Sequence, residues 1–309
     1  MTTLASQSQV IATTASEHTQ WRRIRSLLLS PAIVYLVILT QIPVIFTLYY
    51  SVSNWNLLRP ERTMFVGLSN YLDFVQDTNV LIILRNTLTF ASSVVILTLV
   101  FGMLLAMLLN RQFRGRGVAR TLLITPFLIM PTVSAVMWKN MLLNSAFGLI
   151  NSVLVALGGP RVDWINEYPM MSIIAIVTWE WTPFMMLILL AGLQSLAQEH
   201  LEAAQIDGAG PIEVFYYIIL PHLNRYIEIG VLLEVLFVLN IFGEIFVTTT
   251  GGPGTDTTTP TFDIYLEAFK RWNVGRASAY GVVAVIFANV ITVFFLRIIR
   301  GSSQSKEAA

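Results

Sequence analysis

Three carboxylates stand where carboxylates are costly. Glu180, Glu234 and Glu244 each lie inside an apolar run long enough to cross a bilayer, and an acid at its centre costs roughly 2.5–3.5 kcal/mol on the insertion scale. Such residues need partners and mark solute pathways by default. Glu234, Phe237, Val238 and Ile241 recur at i, i+3, i+4 and i+7, so the spacing predicts one shared helical face. Glu180 and Phe184 are one turn apart, with Trp181 beside them. Acids accept hydrogen bonds from hydroxyl groups and aromatic rings cover C–H surface, so such a face suits a polyhydroxyl solute. The alternative is that these glutamates pair with polar groups of a neighbouring helix. No Arg or Lys lies deep in these two runs, which favours a neutral solute over an anion.

Other chemistries are poorly supplied. With no cysteine, disulfides, Cys-ligated zinc and a thiol nucleophile are excluded. The three histidines, His18, His200 and His222, are not spaced for a metal. No G-x-x-x-x-G-K-[ST] loop surrounds Lys139, Lys270 or Lys306, so ATP must be bound elsewhere. A net charge of +1 without an aromatic-interleaved basic patch argues against nucleic acid. The sequence reads as a chain that is not an enzyme.

The elements that must position the acids are membrane helices. The 309 residues are 55% hydrophobic and 12% charged, where soluble domains average about 25% charged. Charge-free gaps predict an all-α integral membrane protein with six spans, near 27–51, 86–110, 119–143, 169–193, 227–249 and 277–299. Residues 1–25 and 301–309 read as tails around a single domain over 26–300. Arg22, Arg23 and Arg25 precede the first span, and the short 110–120 loop carries Arg111, Arg114, Arg116 and Arg120, which predicts both termini in the cytoplasm. The opposite loops are 25–30 residues long and rich in Gly, Pro, Asn and aromatics, suited to interfacial anchoring or to docking an external protein.

Segment 194–226 is too long for a hairpin and too apolar for a linker. Helix formers run from Gln198 to Ile206, Gly208 and Gly210 break them, and Pro211 suits the start of a second helix over Ile212–Leu220 that kinks at Pro221. This predicts a helix–turn–helix lying against the membrane. Glu202-Ala203-Ala204, an acid followed by two minimal side chains, makes a knob suited to a protein groove.

That segment carries a resemblance. Glu202, Ala203, Ala204, Gly208, Ile218, Leu220 and Pro221 stand in the register of the signature loop of ATP-binding-cassette importer membrane subunits, and Asp207, Ala209 and Phe215 resemble its carbohydrate-importer version. Thr250-Gly-Gly-Pro253, followed by Thr257–Thr259 and Tyr265, resembles the loop before the last helix in maltose-type subunits. One departure is Arg225-Tyr226, where a second proline often follows. The resemblance implies a type I importer permease fold in a bacterial inner membrane, with 194–226 as a coupling helix between spans four and five. It implies that Glu202, Ala203, Ala204, Asp207, Gly208, Ile218, Leu220 and Pro221 meet one of two separate ATPase subunits, which hold the ATP and magnesium. Further implied partners are a second homologous permease, an extracytoplasmic solute-binding protein and the lipid bilayer. Glu180, Trp181, Phe184, Glu234, Phe237, Val238 and Ile241 match solute-contacting positions of maltose-type importers. The stretch Tyr265–Tyr280 is similar to sorbitol/mannitol-type permeases; glycerol-phosphate or sulfo-sugar solutes are the alternative.

Overall fold

Prolines and polar residues cut the apolar runs into more pieces than hydropathy suggests. In the computed structural model, which describes residues 29–307 and side-chain surroundings as far as 297, every regular element is helical. Among the described residues the only β pairing is two isolated bridges, Ser53 to Phe65 and Asn56 to Asn273. The expected tail 1–25, with Arg22, Arg23 and Arg25, lies outside these residues.

Helix α1 covers Leu29–Ser51 and is almost wholly exposed. A short helix, α2 (Ser69–Gln76), ties off its end: the buried Asn70 donates through Nδ2 to the carbonyls of Ser51 (2.8 Å) and Ser53 (3.0 Å). Helix α3, Thr78–Asn110, starts two turns before the expected 86 because Asp77 caps it, its carboxylate accepting from Asn79 N–H at 2.9 Å.

The third expected span, 119–143, is a correction. It divides into α4 (Arg116–Leu128) and α5 (Pro131–Met137, continued by a π turn Trp138–Leu142), bent by 99°. Pro131 has no N–H to give and forces Met130 into extended backbone, so the helix must restart.

Two short helices follow, α6 (Leu149–Ala156) and α7 (Trp164–Glu167). Buried Asn151 holds their loop: its Nδ2 donates to Asn144 O (3.1 Å) and Val162 O (2.8 Å), and its Oδ1 accepts from Val162 N–H at 3.1 Å. Helix α8 is Pro169–Ser195, close to the expected fourth span.

In segment 194–226, α9 covers Gln198–Ile206, the bounds expected. The second helix differs. Pro211–Val214 (α10) passes through a π turn, Phe215–Ile219, straight into α11, Leu220–Val238. Pro221 produces no break because it sits in the first turn of α11 and the wider turn before it bonds Leu220 N–H to Phe215 O. The loop's return is therefore the extended start of a long helix.

The fifth expected span, 227–249, is a second correction. It ends at Val238 and restarts as α12, Gly243–Thr248. The carbonyl of Leu239, freed by the break, accepts from Thr261 Oγ1 at 3.2 Å. After α12 come α13 (Pro260–Tyr265, with a π turn Leu266–Lys270) and α14 (Val274–Glu307), which runs on past the expected 299. Four described helices are long and apolar enough to cross a membrane, five if the bent pair α4–α5 counts as one span.

The core forms where α3, α8 and α11 meet. A Cβ on Gly102 would lie 3.0 Å from Met185 Cγ, and one on Gly230 would lie 2.9 Å from Met185 Sδ, so two glycines admit one methionine between three helices. Small residues at the crossing let membrane helices pack closely.

The end of the bundle opposite α9 is held by charge. Glu267 is fully buried, pairs with Arg271, and lies 3.9 Å from Arg276, whose Nη2 donates to Tyr280 Oη at 2.8 Å. Burial beside this group, with the Glu267 charge adding to it, pushes Asp263 up from 3.8 to about 6. The fold thus favours the protonated acid, so its stabilising share is complete below the ordinary carboxylate pKa and lost as pH rises through about 6. Asp263→Asn is expected to raise thermal stability above that pH, by at most roughly 3 kcal/mol for a two-unit shift, and to flatten the pH dependence between about 4 and 6. Thermal unfolding across pH checks it; an unchanged slope would refute the assignment.

Candidate functional site

Both helix breaks fall against the middle of α8. Gly243 opens α12 directly against Thr132 and Pro131 at the start of α5. Between them, Glu180 of α8 lies beside Ser134 of α5 and Glu244 of α12. All three side chains are buried, and Glu180 Oε1 and Ser134 Oγ have no hydrogen-bond partner among the described residues. Discontinuous helices around unsatisfied polar groups are the construction transporters use for solute sites.

Trp181, one residue on, centres an aromatic cluster. Its ring lies 5.5 Å from Phe127 of α4, 5.5 Å from Phe184, and 5.2 Å from Phe237 of α11, against which it stacks. Phe127 also stacks on Phe184 at 5.6 Å. Phe127 and Phe237 are exposed, so the cluster forms part of the chain's surface.

The face predicted from Glu234, Phe237, Val238 and Ile241 is divided. Glu234 is fully buried and accepts from Thr98 Oγ1 of α3 at 2.6 Å. Val238 and Ile241 are buried in the same core, Ile241 within the break after α11. Three residues turn a helix by about 300°, which swings Phe237 some 60° off the Glu234 direction and onto Trp181. Sequence reasoning passed over Ser134 and Phe127; the proline between them was the signal that the chain turns there. The sequence marks Glu244 as an acid inside an apolar run, but nothing local shows that it meets Glu180.

At the end of α9, Gly208 has φ +85°. Its N–H bonds Gln205 O at 3.1 Å and Ala209 N–H bonds Ala204 O at 2.9 Å, the paired closure of a Schellman cap. Glu213 then accepts from Gly210 N–H at 2.6 Å and starts α10. Glu202, Ala203, Asp207, Gly208 and Pro221 are exposed, Ile218 and Leu220 are half-buried, and Ala204 faces inward. Ile206, Ile212 and Tyr217 stand out uncovered, at 85%, 74% and 79% exposure. Behind α9 a cleft of about 570 Å³ is lined by Asn110, Arg116, Gln194, Glu202 and Gln205.

The Thr250–Thr259 loop is folded inward. Thr257 and Thr258 donate to Gly252 O (3.2 Å) and Gly251 O (2.9 Å), and Asn86 of α3 donates to Thr255 O at 2.7 Å. Thr257–Thr259 are buried, leaving Pro253, Gly254 and Asp256 exposed at the tip. Asp256 borders a cleft of about 530 Å³ with Arg85, Asn86, Glu167 and Tyr168.

A helical membrane chain with two broken helices around a polar point, an aromatic face and a capped loop at one end is built as a transport subunit. Residues 98–304 match the family described as "Binding-protein-dependent transport system inner membrane component", and the chain belongs to that family as a permease subunit of sugar ATP-binding-cassette importers. It is 34% identical over 278 residues to the trehalose/maltose permease protein MalF of Thermococcus litoralis, covering 88% of this chain and 92% of that one. It is 31% identical to the trehalose permease SugA of Mycobacterium tuberculosis (93% and 92% covered) and to the sulfoquinovosyl glycerol permease SmoG of Agrobacterium fabrum (90% and 91%). Its fold matches a chain of a bacterial alginate importer crystal structure with a TM-score of 0.76 at 21% identity, over 93% and 97% of the two chains. The chain is thus a multi-pass inner-membrane protein with a transport role rather than an enzymatic one.

Proposed function

We propose that this permease carries a neutral sugar or sugar alcohol past the Glu180–Ser134–Glu244 point and the Trp181 aromatic face, driven by a separate ATPase that grips α9. The observation that carries the solute reading is the meeting of α5, α8 and α12. There an acid without a full set of hydrogen bonds faces a hydroxyl and a second acid beside four aromatic rings. This set reads hydroxyl groups; an anion would need a cation here.

The aromatic face and α1 both lie on the chain's surface. The exposed aromatic side suggests a passage closed by a second, homologous permease, and the bare apolar α1 suits contact with lipid and with that partner. On this reading α4–α5 and α11–α12 each act as one broken span, giving six crossings with both termini and α9 on the same side, and the arginines of the 110–120 loop favour that side being the cytoplasm. Glu202–Pro221 then meets the ATPase, with Ile206, Ile212 and Tyr217 as its apolar contacts. The tip at Pro253–Asp256 faces an extracytoplasmic solute-binding protein; the alginate relative's structure contains a periplasmic protein bound to an alginate pentasaccharide. The sulfoquinovosyl glycerol relative favours a second reading, an acidic sugar whose countercharge comes from the other permease.

Uptake competition in the reconstituted complex separates the two. Trehalose, maltose, sorbitol or mannitol should compete at concentrations at least about tenfold below those of sulfoquinovosyl glycerol or alginate oligosaccharide, a difference of about 1.4 kcal/mol. Competition by the acidic sugars alone would overturn the neutral-solute reading.

A further inference from the structure

Helices α5 and α12 are seven and six residues long, and each is cut off from the helix before it. No continuous backbone helix fixes their placement, so side chains must do it. At one end Gly243 admits Thr132: a Cβ there would lie 3.2 Å from Thr132 Cγ2. At the other end Lys139, in the π turn closing α5, donates through Nζ to the carbonyls of Val247 (2.9 Å) and Thr248 (3.0 Å). These last-turn carbonyls lack helical partners, and an ammonium satisfies two of them at once. Between the two contacts lie Ser134 and Glu244, both beside Glu180.

We propose that Lys139 is a positioning residue for transport: by clamping the end of α12 onto α5, it holds Ser134 and Glu244 in place against Glu180. It touches no solute and acts only through that placement. The proposal rests on the reading of the Glu180 point as part of the solute passage.

The test uses the full reconstituted complex and whichever of trehalose, maltose, sorbitol, mannitol and sulfoquinovosyl glycerol the wild type takes up fastest. Lys139→Met should raise the half-saturating concentration about 10- to 150-fold, the range for losing a charged hydrogen-bond donor, with assembly and maximal rate changed less than about twofold. Lys139→Arg, which can still reach both carbonyls, should stay within about threefold of wild type. The chain has no cysteine of its own. A Thr132→Cys/Gly243→Cys pair can therefore be oxidised selectively, and at this approach a disulfide can close. Added to Lys139→Met, that disulfide should restore the affinity. An unchanged half-saturation, a loss that merely follows the amount of assembled complex, or a formed disulfide that restores nothing would each overturn the proposal.

A solute-free arm separates its failure from that of the passage reading. In membranes, the cysteine pair should oxidise several-fold more slowly when combined with Lys139→Met than when Lys139 is kept. Equal rates would refute the clamp. Slower oxidation with no uptake of any of these sugars would keep the clamp and reject the solute reading.

Discussion

Gly208→Pro is expected to abolish uptake while the chain still inserts and assembles with its permease partner. Gly208 ends α9 at φ +85°, and proline is fixed near −65°, so the Schellman closure to Gln205 and Ala204 cannot form. No described residue lies within 4 Å of where a Cβ at 208 would stand. The substitution therefore acts through the backbone of the loop and leaves the bundle core untouched. Gly208→Ala should be intermediate, since the left-handed conformation costs a Cβ-bearing residue roughly 1–2 kcal/mol, or about 5- to 30-fold if the cost falls on ATPase docking. Ala203→Trp tests the same contact from the other side. Ala203 is exposed, so the larger ring fits this chain and obstructs only what sits on it. Uptake and co-purification of the ATPase with each variant check the assignment. Wild-type uptake with Gly208→Pro would refute it, because the cap would then have no part in coupling.

The legibility of that loop has a physical basis. Helix propensity from Gln198 to Ile206, a glycine at a left-handed cap and a proline at a helix start are all local signals, and α9 ends where they say. Pro221 misled because its effect depends on the wider turn before it, which bonds around the missing donor. The spans at 119–143 and 227–249 misled for a related reason. A hydropathy window stays apolar across Met130-Pro131 and across Leu239–Phe242, although the backbone changes direction at the first and stops being helical at the second. The pairing of Glu180 with Glu244 was beyond reach of spacing altogether. Those acids are neighbours only because both breaks fold their short helices against α8. Trp181 with Phe184 was readable as a single-helix pair; Phe127 and Phe237 join them only through tertiary packing.

Glu180 and Glu234 are expected to behave as opposites. Glu180→Ala should leave assembly near normal and weaken uptake about 10- to 150-fold, the range for losing a charge-assisted hydrogen bond of about 1.5–3 kcal/mol. Its removal also relieves a carboxyl that lacks a partner at Oε1. Glu234 instead ties α11 to α3 through Thr98 Oγ1, with its second oxygen unpartnered. Glu234→Ala leaves Thr98 its bond to Val95 O, so the donor is not orphaned, but the inter-helix tie goes and a cavity opens in the tightest part of the core. The expected result is less assembled complex, by a destabilisation of about 2–3 kcal/mol in the range of large-to-small core changes, with sugar selectivity unchanged in the complex that remains. Glu234→Gln, whose amide oxygen can still accept from Thr98, should recover assembly. Measuring assembled complex and sugar competition in the same preparations keeps the readouts apart. If Glu234→Ala assembles normally but loses selectivity, Glu234 turns towards the solute at some stage of transport, and the face predicted from its spacing with Phe237 is restored. If Glu180→Ala transports normally, the polar point where the broken helices meet carries no solute, and the passage must run along the aromatic face alone.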